Sequence, residues 1–179
     1  HKSLNFIAGL HSLHPNGGIE KSIDLFCERF IDHACKIVHF FHDHTAIGKR
    51  PDGDSFFDIA RKRLELHGWR VVDQYLGQAP EHTERYQEFI LMFDNETDLA
   101  IQFNEVECEY LLKSMQQAGA ITVGKKTKKD KSKEKKPNYP AEEQTDYSEA
   151  ADMILWGVLK LNMYSDEVDL TGGIYVSVA

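Results

Sequence analysis

The sequence predicts an α/β fold built around a buried central strand, and three observations carry that prediction. The run Lys36–Gly48, KIVHFFHDHTAIG, joins Val, Ile and paired Phe without strict polar alternation, the mark of a strand covered on both faces. Strand, helix and strand then follow on short connections through Leu76, as in a crossover between parallel neighbours. Ahead of them, Ile19, Ile23, Phe26, Cys27, Phe30 and Ile31 recur with helical period.

Taken in order, Leu4–His14 reads as a strand containing Gly9. Pro15, Asn16 and two glycines turn the chain into an amphipathic helix over Ile19–Ala34. After the central strand, Gly48–Asp54 is a turn-rich loop, and Ser55 N-caps a helix over Phe56–Leu66 that His67 and Gly68 close. Trp69–Leu76 is the next strand. A helix over Thr83–Phe93, a short edge strand over Leu99–Phe103 and a helix over Val106–Ala118, closed by Gly119, follow. The basic run Lys125–Lys136 leads through PNYP into the last strong element, a helix over Glu142–Tyr164, before the tail Asp166–Ala179.

A chain of 179 residues suits one well-packed domain, with 41% hydrophobic and 28% charged residues typical of a globular protein. No apolar stretch is long enough to span a bilayer and no signal-peptide core opens the chain, so it reads as cytosolic. Cys27, Cys35 and Cys108 are widely spaced in apolar surroundings and read as reduced core residues. A net charge of -8 excludes a uniformly basic nucleic-acid coat. Within it, KKTKKDKSKEKK at Lys125–Lys136 sets eight lysines against two acids, either as a phosphate-contacting segment or as a solvated loop.

Two carboxylates stand out. Asp43 ends the central strand, where open α/β sheets place ligands; the alternative is that it caps the following loop through backbone amides. Asp152 shares a helical face with Leu155, Trp156 and Leu159, and a carboxylate buried there needs a hydrogen-bond partner, a cation or a metal. Glu149, one turn earlier, either joins that site or faces solvent. A strand-end acid and a helix acid suit hard divalent cations that keep open positions for phosphate oxygens. A third acid is not evident from the residues alone. His39, His42 and His44 read as core packing or loop hydrogen bonding rather than a zinc cluster, with His44 beside Asp43 in reach of a phosphate. No GxxxxGK[ST] loop and no GxGxxG is present, so nothing points to nucleotide hydrolysis.

DHTAIG at Asp43–Gly48, GWRVVDQYLGQAPEHTERY, QFNEVECEYLLKSMQQAGA, the lysine-rich segment and PAEEQTDYSEAADMILWG, in that order, resemble the nuclease domain of phage large terminases from about Leu4 to Leu161. The resemblance implies a ribonuclease H-like fold, a mixed sheet flanked by helices, as a single nuclease domain over 1–165. A lysine-rich loop spans 124–140 of it, and 166–179 forms a C-terminal tail. It implies a two-metal phosphodiester endonuclease using two Mg2+ or Mn2+ ions, with Asp43 and Asp152 as catalytic and metal-holding acids. Lys126, Lys128, Lys129 and His44 would contact DNA. The implied partners are double-stranded DNA, the terminase ATPase domain, the small terminase subunit and the portal, with no membrane, in the cytoplasm of a bacterial host.

The family's first strand, bearing its first catalytic Asp, is expected before Leu4 and is missing here. The expectation is therefore a fragment lacking that strand, with the tail Ile174–Val178 or a second molecule filling the gap in the sheet. Two other readings stay open: a non-catalytic DNA-binding or assembly remnant of the same fold, and another ribonuclease H-like enzyme such as a junction resolvase or transposase.

Overall fold

Segments with helical period alternate with β-branched and aromatic runs, and they fold as β1 (Lys2–Phe6), α1 (Ile19–Arg29), β2 (Ile37–His42), α2 (Phe56–Leu66), β3 (Arg70–Tyr75), α3 (His82–Phe93), β4 (Leu99–Phe103), α4 (Glu109–Gln117), β5 (Ala120–Val123), β6 (Lys126–Lys129), α5 (Asp146–Lys160) and β7 (Ile174–Ser177). The computed structural model describes residues 2–10, 12, 18–49, 51, 53–78, 81–94, 99–124, 126–132, 134, 146–161 and 174–177. The α/β class is as expected. The chain divides into two compact units: a parallel-sheet unit, Leu10–Ala79 with Asp166–Val178, and a hairpin unit, His1–Gly9 with Pro80–Ser165 and Ala179. Among the described residues, no helix is long and apolar enough to cross a membrane.

In the parallel-sheet unit β2 is central, in the order β3-β2-β7. It runs parallel to β3 from Ile37↔Arg70 to His42↔Tyr75, and parallel to β7 from Val38↔Ile174 to Phe41↔Ser177. The tail thus adds a strand beside β2 over Ile174–Ser177, while Val178 lies outside the described residues. Val38 and Phe40 project from one face of β2 into a core with Ile23, Phe26 and Cys27 of α1, Phe57, Ala60 and Leu64 of α2, Trp69 and Ile174. Burial, aided by the charge of Asp24 and only partly opposed by Lys36 and Arg63, pushes the Cys27 thiol up to about 11, so this cysteine packs as an apolar group.

Helix α2 begins and ends where its residues dictate. Ser55 and Asp58 form a reciprocal capping box, with the Asp58 amide donating to Ser55 Oγ at 3.0 Å. At the other end Gly68 has φ 80, and Trp69 N donates to Leu64 O while Gly68 N donates to Glu65 O, closing the last turn on a left-handed residue.

Helix α1 stops at Arg29, short of the predicted Ala34. Phe30 leaves the helix at φ -104, and the ammonium of Lys36 donates to the carbonyls of Phe30 and Ile31 at 2.8 and 2.7 Å, satisfying acceptors that another turn would have taken. Arg63 of α2 grips Asp24 of α1 with two bonds of 2.6 and 2.8 Å, joined by His67 at 3.2 Å. The Arg63 hydrogen bond leads in holding the Asp24 carboxyl down at about 2. Because the folded value is depressed, this contribution is present above the unfolded value of 3.8 and disappears as pH falls toward 2. Asp24→Asn is therefore expected to lose stability near neutrality and to show a shallower further loss between about pH 4 and about pH 2, read from urea midpoints across that range.

In the hairpin unit β1 and β4 pair in parallel from Lys2↔Leu99 to Phe6↔Phe103, and the Phe6 and Phe103 rings stack at 4.7 Å. The predicted strand over Leu4–His14 ends at Phe6; of its last residues, 11, 13 and 14 lie outside the described residues. Helix α4 begins at Glu109 instead of Val106 because the Asn104 side chain accepts from the amides of Val106 and Glu107, at 3.2 and 3.1 Å, and holds them in a turn. The expected lysine loop 124–140 is in part a strand: β5 and β6 form an antiparallel hairpin in which Val123 faces Lys126, so Gly124, at φ 65, opens a two-residue turn. Residues 135–145 and 162–165, where the predicted last helix was to start and finish, lie outside the described residues.

Candidate functional site

The most chemically loaded place in the hairpin unit is where α5 meets β6. Residues three apart on a helix share a face, and so do residues two apart on an extended strand. Glu149 and Asp152 on α5 accordingly meet Lys131 and Lys129 of the hairpin: Lys129 Nζ lies 2.6 Å from Asp152 Oδ2, and Lys131 Nζ 2.8 Å from Glu149 Oε1. The outer pair is half exposed. The inner one is buried, with side-chain exposures of 13% for Lys129 and 12% for Asp152. Lys129 also donates to Ser148 Oγ at 2.8 Å, and Ser148 N donates to Ser114 Oγ at 3.1 Å, which ties the pair to α4.

Burial governs the charge states here. It pushes the Asp152 carboxyl up, with Lys129 opposing that shift without cancelling it. It pulls the Lys129 ammonium down, again against the pull of Asp152. Burial also lowers Lys131, but the hydrogen bond and charge of Glu149 leave it raised overall. His82, at the start of α3, is pushed down by burial and by Arg85, so its ring is neutral at pH 7. Arg85 Nη2 lies 3.2 and 3.3 Å from the two ring nitrogens of His82. A cavity of about 730 Å³ opens between α3, the hairpin and α5, with Arg85, Lys129 and Asp152 among the polar groups on its wall. A second, of about 360 Å³, is lined by His82, Lys128, Lys131 and Glu149.

Of the residues predicted from sequence, Asp152 and Lys129 meet in this site. Lys128 is exposed on the same hairpin, and the Lys126 side chain lies outside the described residues. Asp43 and His44 belong to the parallel-sheet unit. Asp43 Oδ1 accepts from Thr45 N at 2.8 Å and Thr45 Oγ1 at 2.5 Å, the loop-capping arrangement that was one of its two readings. His44 is exposed. His42 is buried, stacks on Phe57 at 4.2 Å and donates from Nε2 to Asp73 Oδ1 at 2.8 Å, in keeping with a packing role.

A hard cation can be tested against these donors. Asp152 is a buried carboxylate that already carries a positive counter-charge, and the Lys129 ammonium stands where a cation is electrostatically required. The oxygen chemistry fits Mg2+ or Mn2+. Among the described residues, however, no three His, Cys, Asp or Glu side chains converge on one point.

His82, Arg85, Ser148 and Lys131 were not anticipated. Lys129 and Lys131 match Asp152 and Glu149 as two charge pairs only once β5 and β6 are known to form a hairpin; His82 and Arg85 are joined to the site only by tertiary packing. No family model matches the chain, and neither a curated protein nor a solved structure matches it.

Proposed function

We propose that this chain is a metal-dependent phosphodiester endonuclease module of ribonuclease H-like fold, of the kind found in the nuclease domain of phage large terminases, acting on double-stranded DNA in a bacterial host. The observation that carries the reading is the buried Asp152 carboxylate, held by a lysine of a basic hairpin on the wall of a cavity of about 730 Å³. Asp152 would hold Mg2+ or Mn2+ with the Lys129 ammonium displaced, and by the resemblance Asp43 is assigned the same duty. A divalent ion so bound supplies an activated water and charge stabilisation for a leaving oxygen. The chain's own part, before an ion enters, is to keep Asp152 ionised through Lys129, whose ammonium Ser148 Oγ holds in place. Exposed Lys128 and half-exposed Lys131 offer the non-specific attraction to phosphates that fixes a duplex in place. An ATPase domain, a small terminase subunit and a portal are the partners that go with this reading.

Calorimetric titration of manganese, paired with nicking of supercoiled plasmid, tests it on the wild type, Asp152→Asn and Asp43→Asn. Loss of a direct ligand is expected to weaken manganese binding by more than the ~10–100-fold typical of losing an outer-shell partner, and to abolish nicking. Unchanged affinity in Asp152→Asn removes this residue from the site. The second reading, a DNA-binding or assembly module without catalysis, is favoured by the Lys129 ammonium, which already stands at the cation position beside Asp152. Plasmid that is retarded but never nicked, at any manganese concentration, selects it.

A further inference from the structure

We infer that the larger cavity of the hairpin unit is a nucleotide pocket, which takes a phosphate at its Arg85 end and an unpaired base along the apolar face of α3. The identity of the ligand as a nucleotide rests on the nucleic-acid reading above; the need for an anion and a flat apolar partner rests on the cavity itself.

The anion requirement comes from Arg85. A guanidinium offers donors in a fixed fork and is charged at every accessible pH. This one makes no ion pair among the described residues. Its Nε is buried with no partner, and its Nη2 meets only the ring of His82. Lys129 lines the same end and takes the Asp152 carboxylate in a 2.6 Å ion pair, which leaves Arg85 only the longer-range attraction of that carboxylate. A guanidinium with no direct counter-ion in a partly desolvated wall is costly, and an anion entering the cavity reduces that cost.

The apolar requirement comes from helical spacing. His82, Arg85, Tyr86, Phe89, Ile90 and Phe93 recur at intervals of three and four along α3, so the cationic end of the cavity continues directly into an aromatic stripe. Phe89 is buried, whereas Tyr86 is 68% and Phe93 41% exposed. Exposed aromatic rings beside a cation are what an unpaired base uses, since every base has a face that stacks. The volume, about 730 Å³, lies in the range of small-ligand sites and is too confined for a duplex. The adjoining cavity with Lys128 and Lys131 can hold the next phosphate of a strand.

One nucleotide chemistry has two sources here, a free mononucleotide or the frayed terminal nucleotide of a DNA strand. The test uses the whole chain in EDTA, so that metal binding plays no part. Calorimetry would compare dAMP, deoxyadenosine and hexyl phosphate, then a blunt duplex and the same duplex with a short 5′-phosphorylated overhang, on the wild type, Arg85→Gln, Arg85→Lys and Tyr86→Ala. The expected result is saturable dAMP binding stronger than that of deoxyadenosine or hexyl phosphate, weakened at least about tenfold (~1.4 kcal/mol) by Arg85→Gln, and partly restored by Arg85→Lys. Preference for the overhang over the blunt duplex, lost in Arg85→Gln, assigns the pocket to a strand end; equal affinity for both duplexes assigns it to the free nucleotide. No saturable dAMP binding, dAMP affinity indifferent to Arg85→Gln, or hexyl phosphate binding as tightly as dAMP overturns the proposal. Because no metal is present, a chain that never nicks DNA can still bind dAMP, and a chain that binds no dAMP can still bind manganese through Asp152.

Discussion

Lys129→Met is expected to destabilise the hairpin unit by about 3–5 kcal/mol, and adding Asp152→Leu to restore most or all of that loss. Both side chains of the pair are about seven-eighths buried, and the bond between them is short, at 2.6 Å. Removing the ammonium alone strands a carboxylate in a medium that cannot solvate it. Replacing both ions removes the desolvation penalty with the attraction, which is why such exchanges are often neutral or stabilising. The pH dependence has a definite sign. Asp152 is raised above its unfolded value of 3.8, so its contribution favours the fold most below that value and is lost as pH rises through the folded value. Lys129 is lowered from 10.5, so stability recovers only as pH climbs from its folded value toward 10.5. At neutrality both ions carry their penalty. In Lys129→Met the carboxylate loses its counter-charge, so the penalty of the variant is expected to shrink as pH is lowered from about 7 to about 5. Urea unfolding at each pH, followed by Trp156 in a Trp69→Phe background, reads the hairpin unit alone. A double variant as unstable as the single one would mean that the pair is structurally irreplaceable, which would weaken its link to function.

That pair also shows what the sequence could and could not tell. Asp152 was identifiable because a carboxylate in phase with Leu155 cannot be buried without a partner. Its partner was not, since KKTKKDKSKEKK reads as a solvated run until the preceding AITV is seen as the first strand of a hairpin. The signal was present: Ile121 and Val123 alternate with smaller residues, and Gly124 follows at the turn. The charge density of the lysines masked it. Helix α2, by contrast, was legible to the residue, because Ser55, Asp58 and Gly68 act locally. The ends of α1 and α4 depended on Lys36 and Asn104 capturing backbone groups, choices that periodicity does not record. The partition into two units was invisible for a related reason. Strand β1 pairs with β4 and β7 with β2, and non-local pairings of this kind leave no trace in any short window.

Phe40→Ala should cost the parallel-sheet unit about 3–5 kcal/mol, while Phe40→Leu should cost under about 1.5 kcal/mol. Phe40 has 0% exposure, sits on the strand that β3 and β7 flank on both sides, and packs its ring 5.7 Å from that of Phe57. Central placement leaves the site little freedom to collapse around the missing ring, which puts the expected loss at the upper end for a Phe truncation. The same strand ends one residue before Asp43, and the turn that follows is held by Thr45 N donating to Asp43 Oδ1. A cavity three residues upstream should therefore loosen that turn before the whole unit unfolds. Urea unfolding read by Trp69 measures the first effect, and hydrogen exchange of the Thr45 amide measures the second. If Phe40→Ala lowers stability as expected but leaves Thr45 as protected as in the wild type, the geometry of the Asp43 turn is set by its own side-chain bonds. In that case the strand merely delivers the turn, and any loss of metal binding in Asp43→Asn can be read as chemistry at the carboxylate instead of a disturbed core.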